Sequence, residues 1–283
     1  MMQRGCENCG ADISHRRKDV RFCSKKCSTA PRFYGTYCLQ CETKIYVSPG
    51  KVTSKSYCTP KCRFAHRNPD FNENFFAEPN LENSYWAGFI AADGCVSTPA
   101  GKSLRLSFSL QASDKSHLIN FQSSVGAGKI YDDVDRNSCA FYLHSNKICK
   151  DLGHRFGIFP RKTFTLEPPD LHGDNALAYI AGMIDGDGSY TYSGTRPRLS
   201  LVGTKELLIW ISETLGLDSR IQPVGNIYTM AFYGDRAIII RSKIHELEVP
   251  LLDRKKYRWE SLGLDLTIKN RRSKKDNGKL ARG

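Results

Sequence analysis

Hydrophobic and small residues recur at helical spacing in two stretches of the chain, 86–94 and 180–188. Each stretch ends in an aspartate, Asp93 or Asp187, followed by a glycine, the residue most often found just past a helix C-terminus. The two aspartates lie 94 positions apart. The pattern predicts two related helices, each with an acid at its carbonyl end, where the partial negative charge of the helix disfavours a carboxylate.

Small residues follow the same spacing within both predicted helices. Gly88 and Ala92 lie four positions apart, as do Gly182 and Gly186, so each pair occupies one helix face. Faces without large side chains let two helices approach closely, which would bring the two terminal acids together. Neighbouring carboxylates repel each other unless a cation lies between them. We therefore expect the two acids to share a divalent cation, which takes oxygen ligands.

Alternating apolar and polar residues after each acidic helix predict strands, and longer amphipathic stretches predict further helices. In the first half the predicted elements are a short strand after Gly94, an alternating strand 104–111, a helix 115–125 capped by Asp114, strands near 129–134 and 139–145, and a helix 146–156. In the second half they are strands 189–193 and 196–202, a helix 204–215, strands 219–224 and 227–233, and a helix 235–247. The predicted fold is an α+β domain with pseudo-two-fold symmetry, built from two α-β-β-α-β-β-α units.

Eight of the eleven cysteines fall within the first 62 residues and repeat one spacing. In both copies a Cys-x2-Cys pair is followed by a pair with three residues between its cysteines. Four thiolates close a tetrahedral structural zinc site, and segments this short need such a site to fold. The predicted ligands are Cys6, Cys9, Cys23 and Cys27 for one structural Zn²⁺, and Cys38, Cys41, Cys58 and Cys62 for a second.

Two alternatives to this zinc assignment remain open. The cysteines would form disulfides in an oxidising compartment, although nothing in the sequence indicates one. In the second alternative, Cys23 and Cys27 would share one zinc ion with Cys38 and Cys41, although the duplication favours consecutive units. The three remaining cysteines are scattered, and we expect them to be buried core residues: Cys95, Cys139 and Cys149.

The formal net charge of +13 is concentrated at the two ends of the chain. Residues 1–68 carry +10 and residues 269–283 carry +6, so the body between them carries −3. Basic ends on a nearly neutral body are expected where those ends rest on a polyanion. For the last segment, a solvated and disordered tail is an equally good interpretation.

The composition excludes membrane and secreted proteins. There is no run of 18 apolar residues, and the N-terminus lacks the apolar region of a secretory signal, so we expect an intracellular protein, cytoplasmic or nucleoid-associated or in an organelle. A chain of 283 residues allows roughly two domains. The predicted divisions are zinc-binding units at 1–33 and 34–68, a linker at 69–80, the two halves at 81–172 and 173–267, and a basic tail at 268–283.

The two acidic helices resemble the signature helices of a single-chain LAGLIDADG homing endonuclease. The resemblance covers about residues 71–266, in motif order, in spacing and in the strand-strand-helix pattern after each helix. The second copy departs from the signature only mildly, at Met183 and Gly186. The first has Trp86 for the opening leucine and Ala91 for the first aspartate, which is not the metal-binding acid of the family.

The resemblance implies a nuclease that cuts both strands of double-stranded DNA across the minor groove. Asp93 and Asp187 would ligate Mg²⁺, the same two residues that the helix pattern indicates. Family sites also contain lysines and a polar group that order water or stabilise charge in the transition state. The matching positions are Lys162 in the first half, Lys255 or Lys256 in the second, and Gln111 at the end of the alternating strand.

The resemblance further implies that the polar faces of the two sheets enter the major groove, where base edges are distinguishable. Because the halves differ in sequence, the target should be long and asymmetric, and we expect the protein to be a monomer. The zinc units and the basic tail would extend the contact with DNA, since a body of −3 holds phosphates poorly. The predicted base-contacting residues are Arg105, Ser107 and Ser109 in the first half, and Arg196, Arg198 and Ser200 in the second.

Three other functions compete with this one. A maturase or a transcription regulator would bind nucleic acid on the same scaffold without cutting it, but would not need both acids. A nuclease embedded in an intein would need a nucleophile at its start and His-Asn at its end, whereas this chain begins with Met1 and ends with Gly283. A zinc-dependent hydrolase is disfavoured because all-cysteine sites leave no position for water on the metal.

Overall fold

The computed structural model of the chain describes residues 4–29, 36–45, 56–99, 103–193 and 196–258. The predicted basic tail at 268–283 therefore lies outside the described residues. The chain divides into two units between Phe71 and Asn72. None of the helices in the described ranges combines the length and apolarity that a membrane span requires.

In its described residues, the N-terminal unit contains two short helices, α1 (Lys25–Thr29) and α2 (Pro60–Arg67), and a two-stranded antiparallel sheet of β1 (Thr36–Tyr37) and β2 (Lys44–Ile45). Thr59 caps α2, because its side chain accepts a hydrogen bond of 3.1 Å from the backbone N–H of Cys62. Each helix begins two residues after a cysteine and contains the next one. The helix starts therefore present the second cysteine pair of each predicted zinc unit.

The C-terminal unit repeats one order of elements twice. Its first half consists of α3 (Leu81–Asp93), β3 (Gly94–Ser97), β4 (Arg105–Gln111), α4 (Lys115–Val125), β5 (Lys129–Asp133), β6 (Ser138–His144) and α5 (Asn146–Phe156). Its second half consists of α6 (Gly173–Asp187), β7 (Ser189–Ser193), β8 (Arg196–Gly203), α7 (Lys205–Leu215), β9 (Ile221–Val224), β10 (Ile227–Tyr233) and α8 (Asp235–His245). The predicted α+β class and the repeated α-β-β-α-β-β-α order are confirmed.

Each half contains a four-stranded antiparallel sheet, with strand order β3-β4-β6-β5 or β7-β8-β10-β9. Along β4, Leu106, Phe108 and Leu110 are buried whereas Ser109 and Gln111 are exposed, as the alternation predicts. Helices cover the apolar face of each sheet. We call the opposite, polar face of each sheet its open face.

Helices α3 and α6 lie directly against one another along a seam of glycines. A Cβ atom placed on Gly88 would collide with the carbonyl oxygen of Tyr179, and one placed on Gly182 would collide with that of Tyr85. Only a residue without a side chain fits at either position. The predicted close approach of the two helices is confirmed, and its basis is contact between backbones.

The structure shows a helix cap at Asn80 and corrects the cap predicted at Asp114. Asn80 caps α3, since its side chain accepts from the N–H of Asn83 (3.0 Å) and its own N–H donates to the Asn83 side chain (2.8 Å). Asp114 was predicted to cap α4 but makes no such bond. It is buried and accepts a hydrogen bond of 3.1 Å from Nε of Arg254, because a buried carboxylate needs a cationic partner.

The segment predicted as a linker, 69–80, is attached to the first half from Asn72 onward and places two of its side chains in the core. The side chains of Phe75 and Phe76 are buried, and both rings lie near that of Phe121. The backbone N–H of Asn72 donates to the carbonyl oxygen of Val125 (2.9 Å). The surrounding turn residues are typical of a linker, but burial of two aromatic side chains fixes the segment to the first half.

Candidate active site

Asp93 and Asp187 are the last residues of α3 and α6, and the glycine seam brings them together. A Cβ atom on Gly186 would lie 3.5 Å from Oδ2 of Asp93, so this carboxylate lies against the last turn of α6. Both acids are exposed to solvent. Partial desolvation raises the pKa of Asp93, and the nearby charge of Asp187 raises it further. The charges of Lys255, Lys162 and Arg254 act in the opposite direction, so this end of the helix pair combines two carboxylates with nearby cationic side chains.

Lys162 approaches the end of α3 from a short 3-10 turn, Lys162–Phe164. Its side chain is only 9 % exposed, and its Nζ donates to the carbonyl oxygen of Ala92 over 3.4 Å. Desolvation lowers the pKa of Lys162, whereas the charges of Asp187 and Asp93 act in the opposite direction. Within the described residues this is the one hydrogen bond of the ammonium group, so other N–H groups are available to a ligand.

Lys255 approaches the end of α6, but its ammonium group is fully engaged. Its Nζ donates to the carbonyl oxygens of Ile184 (2.9 Å), Gly186 (2.6 Å) and Gly188 (2.8 Å). Desolvation lowers the pKa of Lys255. A positive charge on these carbonyls offsets the negative end of the helix that carries an acid.

A comparison of the two halves shows which lysine of the second half corresponds to Lys162. Lys162 contacts the carbonyl one residue before Asp93, and Lys255 contacts the carbonyl one residue before Asp187. Lys256, the alternative, is exposed. Lys255 is therefore the structural equivalent of Lys162, although its hydrogen bonds differ.

A buried acid to which the sequence analysis gave no role lies at the seam. Oδ2 of Asp185 accepts hydrogen bonds of 2.8 Å from the hydroxyl of Tyr85 and from the backbone N–H of Leu252. The same hydroxyl lies 3.1 Å from Nε2 of His117. Desolvation raises the pKa of Asp185 to about 6 and lowers that of His117 to about 3. The available signal was a carboxylate inside an apolar helix, which requires buried partners.

The remaining predicted site residues lie on the open faces of the two sheets. Gln111 is exposed and lies three residues beyond Phe108, which pairs with Gly94 just after the first acid. It therefore lies at the acidic end of its sheet. The predicted base-contacting residues are Arg105, Ser107 and Ser109 in β4, and Arg196, Arg198 and Ser200 in β8.

Of the three cysteines expected in the core, Cys139 and Cys149 are buried as predicted, but Cys95 is exposed. Cys95 pairs with Ser107 across β3 and β4, which puts it on the open face. The prediction was wrong because a strand residue alternates between two faces and only one of them is covered.

Solved structures share this fold. The LAGLIDADG meganuclease I-AabMI, crystallised bound to uncleaved DNA, has a TM-score of 0.50 at 13% identity, over 68% of this chain and 92% of its own. A double lysine-to-alanine mutant of I-SmaMI has a TM-score of 0.51 at 12% identity, over 69% of this chain and 93% of its own. The fold is that of a LAGLIDADG meganuclease. The sequence itself matches no protein-family model and no curated protein.

The N-terminal cysteines form two separate clusters, each made of the four residues of one predicted unit. Within each cluster the sulfur atoms lie within 4.8 Å of one another. The sulfur of Cys23 lies 3.4 Å from that of Cys27, and the sulfur of Cys58 lies 3.4 Å from that of Cys62. These separations exceed the ~2.05 Å of a disulfide and approach the edge of about 3.8 Å of a tetrahedron with Zn–S bonds of about 2.3 Å. The units are consecutive, and the mixed pairing is not observed.

The chemistry of the two clusters also fits a cation. The neighbouring thiols of Cys27 and Cys9 raise the pKa of Cys23 to about 12. Those of Cys62 and Cys41 raise the pKa of Cys58 to about 12 in the same way. Four thiolates at these distances coexist only where a strong positive charge stabilises them, and the donor set fits a structural Zn²⁺ in each unit.

Proposed function

We propose that the protein is a site-specific endonuclease of the homing type, which hydrolyses both strands of a long, asymmetric double-stranded DNA target. The meeting of Asp93 and Asp187 at the glycine seam carries this proposal. Two carboxylates at adjoining negative helix ends repel each other, and a divalent cation between them would offset that repulsion. The shared fold supports the proposal, because I-AabMI is a meganuclease crystallised with DNA.

Asp93 and Asp187 fit a divalent cation, which we propose to be Mg²⁺. Two carboxylates at adjoining helix ends supply the oxygen ligands that a hard cation takes, and the charge of Asp187 contributes to the raised pKa of Asp93. When bound, such a cation supplies a Lewis acid that activates water and stabilises the leaving oxygen. The protein's own contribution is placement, since the seam fixes both helix ends before DNA binds.

Lys162 and Lys255 have different roles in this proposal. Lys162 has N–H groups left after its bond to Ala92, so it can donate to a phosphate oxygen as negative charge develops there. Lys255 directs three N–H groups at carbonyl oxygens of α6 and its C-cap, so we assign it to holding the helix end that carries Asp187. From the sequence we expected both lysines to be catalytic, and we now propose a catalytic role for Lys162 alone.

DNA binding is assigned to the open faces and to the N-terminal unit. Side chains on the open faces would contact base edges, while basic residues elsewhere would contact phosphates and set the register. Residues 1–68 carry +10. In α2, Arg63 and Arg67 are exposed and line a cavity together with Thr59, where two guanidinium groups would contact a DNA phosphate.

The proposal is tested by incubating the chain with a randomised duplex library, with and without Mg²⁺, and sequencing the ends that form. It expects discrete ends that require Mg²⁺ and that disappear in Asp93→Asn and in Asp187→Asn while DNA binding persists. Ends that persist in both variants would exclude these acids as the catalytic pair. Selective binding by the wild type without any ends would instead identify a maturase or transcription regulator.

A further inference from the structure

Two arginines, one on each sheet, occupy equivalent places relative to the acids. In the first half, Arg105 pairs with Ser97, the fourth residue after the acid that ends α3. In the second half, Arg198 pairs with Thr191, again the fourth residue after the acid. At roughly 3.4 Å per residue, each arginine lies roughly 14 Å along the sheet from its acid.

Each of these arginines lies over a tyrosine of the neighbouring strand. The guanidinium carbon of Arg105 is 5.5 Å from the ring centroid of Tyr142, and that of Arg198 is 5.9 Å from the ring centroid of Tyr233. Stacking restricts the plane of a side chain that is otherwise flexible. None of the salt bridges among the described residues involves either arginine.

Four buried polar atoms around the two arginines have no hydrogen-bond partner among the described residues. They are the Nε atoms of Arg105 and Arg198 and the hydroxyl oxygens of the residues opposite, Ser97 and Thr191. Leaving such atoms unpaired is costly, so buried polar groups are nearly always satisfied in a protein's working state. Because the same arrangement recurs at equivalent positions of both halves, it indicates a ligand that both halves contact alike.

We propose that Arg105 and Arg198 each read a guanine, at equal distances from the cleavage centre and on opposite strands of the target. This inference rests on the proposed function, since it names bases that the nuclease would recognise. The terminal N–H groups of a guanidinium match the O6 and N7 acceptors of guanine in the major groove. Adenine presents an amino group where guanine has O6, so it offers only one of the two acceptors.

The residues around each arginine are positioning residues. The ring of Tyr142 or Tyr233 sets the plane of the guanidinium, and with it the direction of the terminal N–H groups. A shift of the arginine as DNA binds would pair its Nε–H with the hydroxyl of Ser97 or Thr191. Both unpaired atoms would then be satisfied in the complex, which favours the bound position of the arginine.

The experiment is selection of bound duplexes from a randomised library by the full-length, zinc-loaded chain, at one salt concentration and without Mg²⁺. The wild type should select one guanine in each half-site, at equivalent positions on opposite strands. Arg105→Ala should relax only the first preference, by about fivefold to a hundredfold, and Arg198→Ala only the second. Tyr142→Leu should weaken the preference at the Arg105 position, whereas Tyr142→Phe, which keeps the ring, should retain it.

Arg155→Ala is the matched control. Arg155 lies on α5, which packs on the covered face of the first sheet, and it forms a salt bridge of 2.7 Å with Glu78. Loss of the Arg155 side chain changes the net charge by the same amount as Arg105→Ala but should keep both guanine preferences. If Arg105→Ala fails to fold, Arg105→Lys keeps the charge without the paired donors and should relax the same guanine. Selective binding without the two guanines, or a guanine retained in both arginine variants, would overturn this inference alone. Absence of selective binding would overturn the proposed function as well.

Discussion

The hydroxyl of Tyr85 in α3 donates a hydrogen bond of 2.8 Å to the carboxylate of Asp185 in α6, across the seam between the two halves. The same carboxylate accepts from the N–H of Leu252, three residues before Lys255. One buried acid therefore connects both acidic helices with the segment that caps α6. In the first half Ala91 occupies the position of Asp185, so the corresponding anchor for Lys162 is missing.

The buried acid predicts a pH dependence of stability. The pKa of Asp185 is about 6 in the folded chain against an ordinary value of 3.8, so the folded state binds this proton more tightly than the unfolded state. The free energy of unfolding should therefore fall as pH rises between these two pKa values. Above them it should stay lower by about 3 kcal/mol. Asp185→Asn should remove this slope. Urea unfolding followed by the fluorescence of buried Trp86, between about pH 4.5 and about pH 7.5, measures it. An unchanged slope in the variant would assign the effect to another group.

The seam predicts that Gly88→Ala is strongly destabilising. The added methyl group would collide with a backbone carbonyl of α6, which cannot move without separating the helices, so we expect a loss of about 2–3 kcal/mol or more in the free energy of unfolding. Gly153→Ala is the matched control, since its methyl group meets only the half-exposed ring of Phe159. It should change stability by less than about 1 kcal/mol, because alanine also favours the helix. Equal effects of the two substitutions in denaturant unfolding would contradict contact between backbones at the seam.

Most helices and strands could be predicted because their signals are local. The alternation that ends at Gln111 and the spacing of Gly88 and Ala92 each depend on a few neighbouring residues. Because the same patterns recur in both halves, the prediction for one half supports the prediction for the other. The two cysteine clusters followed from spacing for the same reason. The acids at the ends of α3 and α6 could also be predicted, since they share the repeated pattern.

Contacts between distant residues could not be predicted from local patterns. Asp114 looks like a helix cap, and only the fold shows that Arg254, 140 positions away, is its partner. The link between Asp185 and Leu252 spans 67 positions and has no local signal. The choice between Lys255 and Lys256 depends on which side of a short turn faces α6, which periodicity does not determine.

The carboxylates at the helix ends predict that protons and Mg²⁺ compete. Because desolvation and Asp187 raise the pKa of Asp93, lowering the pH protonates this ligand sooner than it would an ordinary aspartate. Single-turnover cleavage should therefore slow as pH falls, and a higher Mg²⁺ concentration should move the decline to lower pH. Rates measured across pH at two Mg²⁺ concentrations test this. Superimposable profiles would show that no metal-binding acid titrates in the range.

The lysines predict a separation between activity and stability. Lys162→Ala should lower the single-turnover rate by about 100-fold with little change in unfolding, because the ammonium would act on the phosphate. Lys255→Ala should lower the free energy of unfolding by about 2–3 kcal/mol, because three carbonyl oxygens lose their donor. Lys256→Ala should do neither, since its side chain is exposed. If Lys255→Ala slows cleavage without any loss of stability, the assignment of that residue to the helix end is wrong.

The cysteine clusters predict a zinc content of about two ions per chain. Cys23→Ser removes a thiolate that lies 3.4 Å from Cys27, so about one ion should remain when metal is measured by mass spectrometry. Cys95→Ser is the control, since Cys95 lies outside both clusters and should keep both ions. Equal zinc contents in the two variants would contradict the assignment of Cys23.

The charge of the N-terminal unit predicts its effect on DNA binding. Removal of residues 1–67 takes away 14 Lys and Arg side chains against 4 Asp and Glu, so affinity should fall and the dependence of log Kd on log salt should become less steep. Cleavage positions should stay the same, because the acids and both open faces lie beyond Asn72. Titration of one labelled duplex at several salt concentrations measures the slope. A slope equal to that of the full chain would mean that the zinc units make no contact with phosphates.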